Sequence, residues 1–413
     1  MTITNDSDSP ALSAPAAKPR SFRRRVLSRL SIQSKLLAML LVTSVLSAAV
    51  VGAIGYQSGR SSLRASVFEG LTEIRASQTR RLEAQFSDLK NSLVIYTRGA
   101  TTTEAVRAFT GAFDELNDST ISPAQWKSIV DYYNNQFQKA EEGQAGDRLD
   151  TAALLPRSNP QKYLQAYYTA PFNDWNKAVA FDDARDGSPW SAANAQYNDF
   201  FRQIVKRFEF EDALLLDTRG NVVYSAYKGV DLGTNVLTGP YREGELGEAY
   251  EKALSSNAVN YVGVTDFGDY QPADEPTAWL MSPVGQAGRV EGVLALQFPI
   301  SKINRLMTAD KQWESAGMGK TGETFLVGPD SLMRSDSRKF LEDPGQFKRD
   351  VIEAGTPPSV AEESLAQGGT TLVQPVETEA TRRAQRGQEG TLTAPTTSDM
   401  SRFRPMRRLT CLG

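Results

Sequence analysis

The longest apolar stretch of the chain, residues 36–55 (LLAMLLVTSVLSAAVVGAIG), carries no charge and no proline. Twenty helical residues at about 1.5 Å each match the roughly 30 Å hydrocarbon core of a bilayer. A secretory signal peptide has a shorter apolar core and a shorter leader than the 35 residues found here, so the stretch is predicted to be a retained membrane anchor. Beyond it the pattern becomes helical. Leu63, Val67, Leu71 and Ile74, then Leu82, Phe86, Leu89 and Leu93, recur in steps of three and four within each group, while Arg75, Arg80, Arg81 and Lys90 fall on other faces. This predicts a stalk helix over residues 56–99. Its apolar stripe packs either on its own domain or on a second copy of the chain.

Residues 100–200 read as mostly helical. Thr103 is a candidate cap for a helix through Phe109 and Phe113, and residues 130–137 and 160–168 are rich in aromatics. The polar stretch 141–150 between them reads as a loop. From Glu209 the period becomes strand-like. Strands are predicted at 213–217, 221–228, 259–266, 277–284 and 292–300, with hairpin turns at 218–220 and 285–289 and a short helix closing at 250–254. A linking helix at 303–313 and a second hairpin at 323–327 and 331–334 begin another α/β unit that stays incomplete. After Val376 the pattern stops, and residues 377–413 read as a disordered Arg-rich tail. The fold class is therefore α+β: an anchor and stalk helix, an antiparallel sheet domain of the PAS-like kind, and a partial second domain.

Charge assigns the sides of a membrane. Residues 1–35 carry seven Lys/Arg against Asp6 and Asp8, so this flank is expected in the cytoplasm, with lipid headgroups as a partner of its basic 22–34 run. Residues 377–413 carry seven Arg against four acids; the middle of the chain, 36–376, is left with 32 basic and 43 acidic residues. An acidic surface of that size neutralises no phosphates, which excludes nucleic acid as a partner. There is no histidine, so Ser-His-Asp and Cys-His catalysis and imidazole-bound zinc are excluded. The lone cysteine, Cys411, permits no intrachain disulfide.

Four motifs fail in context. GMGKTG at 317–322 fits a dinucleotide pattern but follows a helix and opens a strand, the reverse of what is required. GKT at 319–321 lacks the phosphate-loop glycine, since Glu314 stands there. DFG at 266–268 has no kinase companions. DDARDG at 182–187 puts Ala184 and Ala193 where a calcium loop needs ligands, and reads as a polar turn. No paired carboxylates stand out. No catalytic residue, metal or cofactor is expected.

Seven segments occur in order: LEAQFSDLKNSL (82–93), LPRSNPQKYLQAYY (155–168), DARDGS (183–188), ALLLDTRGNVVYSAYKGVDLGTN (213–235), DFGDYQPADEPTAW (266–279), GVLALQFPISKINRLMT (292–308) and GKTGETFLVGPDSLMRSDSR (319–338). Together they resemble the extracytoplasmic double Cache sensor of bacterial membrane-bound class III adenylate/guanylate cyclases. The resemblance implies a stalk helix (56–99), a membrane-distal PAS-like sensor domain (100–310) and a membrane-proximal one, here partial (311–376). It also implies a second transmembrane helix, a HAMP linker and a cyclase domain, none of which the sequence contains, so a truncated or frame-shifted receptor is expected. A small-molecule ligand is the implied partner, and a homodimer through the stalk is a further expectation. Candidate ligand-binding residues are Tyr224 and Tyr227 on the second strand, Asp266 at the end of the third, and Tyr168 and Trp175 in the helical insertion. An amine-bearing ligand would use Asp266 and an aromatic wall. The alternative readings are the sensor half of a chemoreceptor or histidine kinase, and a membrane-tethered enzyme.

Overall fold

The computed structural model describes residues 31–137, 150–256, 258, 260–273, 275–286, 288–395 and 407–412, with side chains described as far as Thr391. The 1–20 segment, nearly all of the basic run and most of the 141–150 loop lie outside them. One helix, α1 (Ile32–Arg98), covers both the predicted anchor and the predicted stalk. The chain divides into two units, residues 1–67 and 68–413. In the first, the large apolar side chains from Leu36 to Ile54 are exposed along the helix, and among the described residues this is the one helix long and apolar enough to cross a membrane.

In the second unit, Leu89 and Leu93 of α1 are buried, and Leu82 and Phe86 pack beside them. That half of the stripe serves its own domain. Gly99, in extended conformation, breaks the helix before α2 (Ala100–Glu115). Thr103 is not the cap. It lies in the first turn of α2, its hydroxyl bonded to the Gly99 carbonyl, because the helix already starts at Ala100, directly after the extended Gly99. The helical insertion follows: α3 (Pro123–Tyr132), α4 (Thr151–Leu154), α5 (Asn159–Leu164) and α6 (Trp175–Ala180), with π-helical turns at Tyr133–Phe137 and Gln165–Thr169. The long α7 (Pro189–Phe208) is capped by the Ser188 hydroxyl, which accepts the Ser191 N–H.

The sheet comprises β1 (Asp212–Asp217), β2 (Val222–Ser225), β3 (Gly263–Val264), β4 (Thr277–Gln286) and β5 (Arg289–Pro299), antiparallel throughout in the order β2-β1-β5-β4-β3. All five predicted strands exist, but β3 is only two residues long and β2 ends at Ser225. Both faces are covered, which explains the nearly continuous apolar runs. Ala213, Leu215, Leu294, Leu296 and Phe298 pack with α1, α2 and α7; Leu214, Leu216, Val293, Ala295, Trp279 and Met281 pack with α8 (Glu245–Ser255) and Tyr133. Asp217 is buried at the β1–β2 turn. Its carboxylate accepts the N–H groups of Arg219 and Asn221 and their side chains, the turn chemistry that Asp217 and Gly220 suggest.

After β5, α9 (Ile300–Met307) stops six residues short of the predicted linker helix, because Ala309, Asp310 and Lys311 all take left-handed backbone angles. The predicted hairpin at 323–334 amounts to single bridges, Val327 with Met333 and Leu332 with Pro375. Side chains do the joining. Asp336 accepts the Asn304 amide at 2.7 Å and the Thr370 N–H at 2.6 Å. Arg338 lies 4.7 Å from the Trp313 ring and donates to the carbonyls of Gly319 and Gly322, so the glycine-rich turn receives a guanidinium rather than a phosphate. Helices α10 (Arg338–Glu342), α11 (Pro344–Glu353) and α12 (Pro358–Gln367) complete this region. Within the stretch read as an irregular tail, Thr378 caps α13 (Glu379–Ala384), and β6 (Gly390–Pro395) pairs with β7 (Arg407–Leu412).

Candidate ligand-binding site

Within the second unit, one set of buried polar groups lies under the insertion, around the loop that follows β2. Residues 226–235 fold back along the free edge of that strand. The Val222 N–H bonds the Thr234 carbonyl and the Gly233 N–H bonds the Val222 carbonyl. From above, Gln165 donates to the carbonyls of Val230 (2.7 Å) and Leu232 (3.2 Å), and Thr169 to that of Gly229. The Tyr133 hydroxyl reaches Gln165. Both π turns of the insertion therefore hold this one loop.

Gly233 is the tightest point. It has φ +83°, and a Cβ there would lie 2.7 Å from the Gln161 Cα. Gly233→Ala combines a left-handed alanine with a backbone clash, and is expected to cost at least about 2 kcal/mol. A fall in the urea midpoint checks this; an unchanged midpoint would show that the loop is not held as described.

Three ionisable side chains are buried in and beside the loop: Asp212 of β1, Lys228 and Asp231. Asp212 accepts the Tyr227 N–H at 2.8 Å and the Ser225 hydroxyl at 2.6 Å, and that hydroxyl accepts the Lys228 N–H. Asp231 accepts the Tyr270 hydroxyl at 2.9 Å. The Lys228 ammonium donates to the Asn198 Oδ1 at 2.8 Å and the Ala226 carbonyl at 3.3 Å, over the Tyr224 ring. Both acceptors are neutral. Loss of water raises the carboxyl pKa of Asp212 and of Asp231, and the neighbouring Asp231 charge raises that of Asp212 further. The same desolvation pushes Lys228 down to about 7.

A polar stripe on α7 faces this cluster. Ser191, Asn194 and Asn198 share one helical face, three and four residues apart. Ser191 bonds the Tyr168 hydroxyl at 2.5 Å, and Asn198 also accepts the Tyr224 hydroxyl at 2.7 Å. Asn194 donates to the carbonyls of Phe181 and Asp182; its own Oδ1 is buried with no hydrogen-bond partner among the described residues. Ser225 and Asp212 superficially suggest a nucleophile and a base. Both are fully enclosed, and their hydrogen bonds hold the loop, so the pair has no access to a substrate. Among the described residues no group of three or more acids or cysteines is placed to hold a metal ion. Two surface depressions, of about 340 Å³ beside Asp131 and about 370 Å³ beside Arg107, lie elsewhere and are lined by none of these residues.

Four of the five candidate residues come together here. Tyr168 is buried against Trp190 and Tyr224 against Phe109 and Phe201, with their hydroxyls on Ser191 and Asn198 of α7. Trp175 meets Tyr227 with ring centroids 5.6 Å apart, at the outer end of the loop. Asp266 stands apart. It follows β3, at the opposite edge of the sheet from β2, four inter-strand spacings or roughly 19 Å away. There it takes both Arg334 Nε (3.1 Å) and Nη2 (3.0 Å). A carboxylate so engaged, across the sheet, does not combine with the aromatic wall into an amine site. Asp212, Asn198, Lys228 and Asp231 were not among the sequence candidates. The signal available was weak: charges bracketing an apolar run, in strands that otherwise read as core.

Comparison with solved structures gives loose matches. The chain is similar to the sensor domain of the V. cholerae histidine kinase DctB, at 15% identity and a TM-score of 0.22 over 44% of this chain and 57% of that one. It is similar to the ligand-binding domain of the Pseudomonas fluorescens chemoreceptor CtaA in complex with L-leucine, at 17% identity and 0.26, over 40% and 60%. The third is the sensory domain of the Campylobacter jejuni chemoreceptor Tlp3 with isoleucine bound, at 15% and 0.26, over 55% and 79%. The chain thus spans less than two thirds of the first two. No family model and no curated protein matches it. Superpositions this loose assign no residue a role, so the geometry above has to carry the reading.

Proposed function

We propose that this chain is the membrane-anchored, extracytoplasmic ligand-sensing module of a signalling receptor, with an output of the cyclase type. The observation that carries the reading is the β2 loop. Two buried ionisable groups of the loop, Lys228 and Asp231, and a third beside it on β1, Asp212, are closed under a helical insertion at the β2 edge of the sheet. Burying such groups costs stability, so a fold that keeps them concentrates that cost where movement is useful. The basic flank and the apolar run of α1 support an N-terminus in the cytoplasm and the acidic bulk outside. The cyclase output rests on the order of the seven sequence segments alone. Reading the gene downstream for an in-frame cyclase domain tests it.

The ligand's place in this reading is the outer end of the loop, against the paired rings of Trp175 and Tyr227. A small molecule binding there stabilises the folded state by mass action, about 2.7 kcal/mol at a hundredfold excess over Kd. A thermal-shift screen of the full chain in detergent against metabolites and ions is expected to find a compound that raises Tm by several degrees. Trp175→Ala is expected to abolish most of that shift without lowering the Tm of the free protein to the same extent. If no compound shifts Tm, or the shift survives in Trp175→Ala, the site is wrongly placed.

A further inference from the structure

We propose that the Asp212–Lys228–Asp231 cluster makes this module respond to pH in the neutral range, by loosening or fixing the 226–235 loop. This rests on the sensing reading and names the proton as one of the species sensed.

The cluster connects the loop to three separate elements. Asp212 ties it to β1 through the Tyr227 N–H and the Ser225 hydroxyl. Lys228 ties it to α7 through Asn198. Asp231 ties it to the segment after β3 through Tyr270. Each tie ends on a group that gains or loses a proton, and none of the three is in a salt bridge among the described residues. Asp212 when protonated is a poorer acceptor for two donors, and Lys228 when neutral is a weaker donor to Asn198.

The surrounding groups do not compensate. Asp182, before α7, is already bonded to Arg202 and Asn198, and Arg202 also holds Asp199. Both act on Lys228 from a distance and in opposite directions. Tyr224, Tyr270 and Tyr133 are all pushed up by burial and stay neutral. From the acid side to the alkaline side the cluster passes from one positive charge on Lys228 to two negative charges on Asp212 and Asp231. The steps are coupled: the Asp231 charge opposes ionisation of Asp212, and the Asp212 carboxylate favours the ammonium.

The chain has no histidine. Ordinary carboxylates titrate near 4 and ordinary lysines above 10, so a conformational transition near neutrality requires perturbed groups.

Hydrogen–deuterium exchange of the full chain in lipid nanodiscs tests this between pH 5.5 and 8.5, after correction for intrinsic exchange. The expected result is a several-fold change in protection of amides 226–235 with a midpoint inside that window. In Lys228→Met and Asp212→Asn the midpoint should move by about one pH unit or vanish. Glu275→Gln, a half-buried carboxyl outside the cluster that bonds the Ser301 N–H, should leave it unchanged. Absence of a transition in the unmodified chain overturns the proposal, as does a midpoint that Lys228→Met leaves in place. The wild-type measurement and Lys228→Met decide the matter even if Asp212→Asn does not fold. Ligand-induced stabilisation at constant pH is read separately, so its presence without a pH transition sinks this proposal and leaves the sensing reading standing.

Discussion

Phe201→Ala is expected to destabilise the sheet domain by about 3–5 kcal/mol, the largest effect of any single change considered for this chain. Phe201 is fully buried on α7, between the sheet and the rest of the helical layer. Its ring lies 5.0 Å from Tyr224 and 5.1 Å from Phe200, and Tyr224 in turn stacks at 4.7 Å on Phe109 of α2. Removing the ring takes its transfer free energy and leaves a cavity that three elements line. The long, continuously bonded α7 and the five-stranded sheet cannot collapse into it. Tyr224 would also lose the neighbour that keeps its hydroxyl on Asn198, so part of the cost falls on the candidate site. Urea denaturation followed by far-ultraviolet circular dichroism checks the figure. A loss below about 1 kcal/mol would show that α7 is not packed on the sheet as described.

Lys228→Met is expected to act in the opposite direction, raising stability by on the order of 2–4 kcal/mol at and below pH 7. Lys228 is fully buried with only neutral acceptors, and burial drives it down to about 7. A group whose folded pKa lies below its unfolded one contributes stability above the unfolded value, and loses it as pH falls toward the folded value. The cost of Lys228 is therefore greatest below pH 7 and fades toward pH 10. Asp212 and Asp231 have the contrary sign: their folded pKa values are raised, so their cost is absent at low pH and grows as pH rises toward neutral. Together they place a minimum of stability near neutrality. Methionine fills similar volume, removes the ammonium, and leaves Asn198 still bonded to Tyr224. Thermal unfolding across pH 5–9 should show the variant several degrees higher at pH 6 and converging with the parent above pH 9. A variant less stable than the parent at pH 6 would mean that Lys228 is paired with a charge and is holding the fold. The expected gain also bears on function. A residue whose removal stabilises the protein serves something other than stability.

Parts of this architecture were legible because they depend on short-range periodicity. The anchor reading rests on length and absence of charge in 36–55, and α1, which starts at Ile32, runs through all of that stretch. The strands β1, β4 and β5 rest on apolar runs bounded by turn residues, and their hairpin turns fell where glycine and Asp217 placed them. The points of difference are local conformations that long-range contacts impose. Thr103 lost its capping role because the extended Gly99 starts α2 at Ala100, and α2 packs on the sheet. β2 ends at Ser225 because Asp212, on the neighbouring strand, captures the Tyr227 N–H and turns Lys228 to φ +57°. The 323–334 stretch has strand-like residues but no partner strand among the described residues, so only bridges form.

For the candidate site the division is sharper. The aromatic residues Tyr168, Trp175, Tyr224 and Tyr227 could be picked out by type and by position on the insertion and second strand. Asp266 could be picked out only as an acid near aromatics. Strand order decided its fate: β3 closes one edge of the sheet and β2 the other, and order is set by pairing across distances that no window of sequence spans. The same is true of the buried charges. Asp212, Lys228 and Asp231 look like surface residues in the sequence, and it is the insertion closing over the loop that removes their water. The sequence by itself determined that there is an apolar helix long enough to cross a membrane, an acidic α+β body and no histidine chemistry. Only the tertiary structure decided which charges lose solvent, because burial is a property of what packs on a residue from elsewhere in the chain.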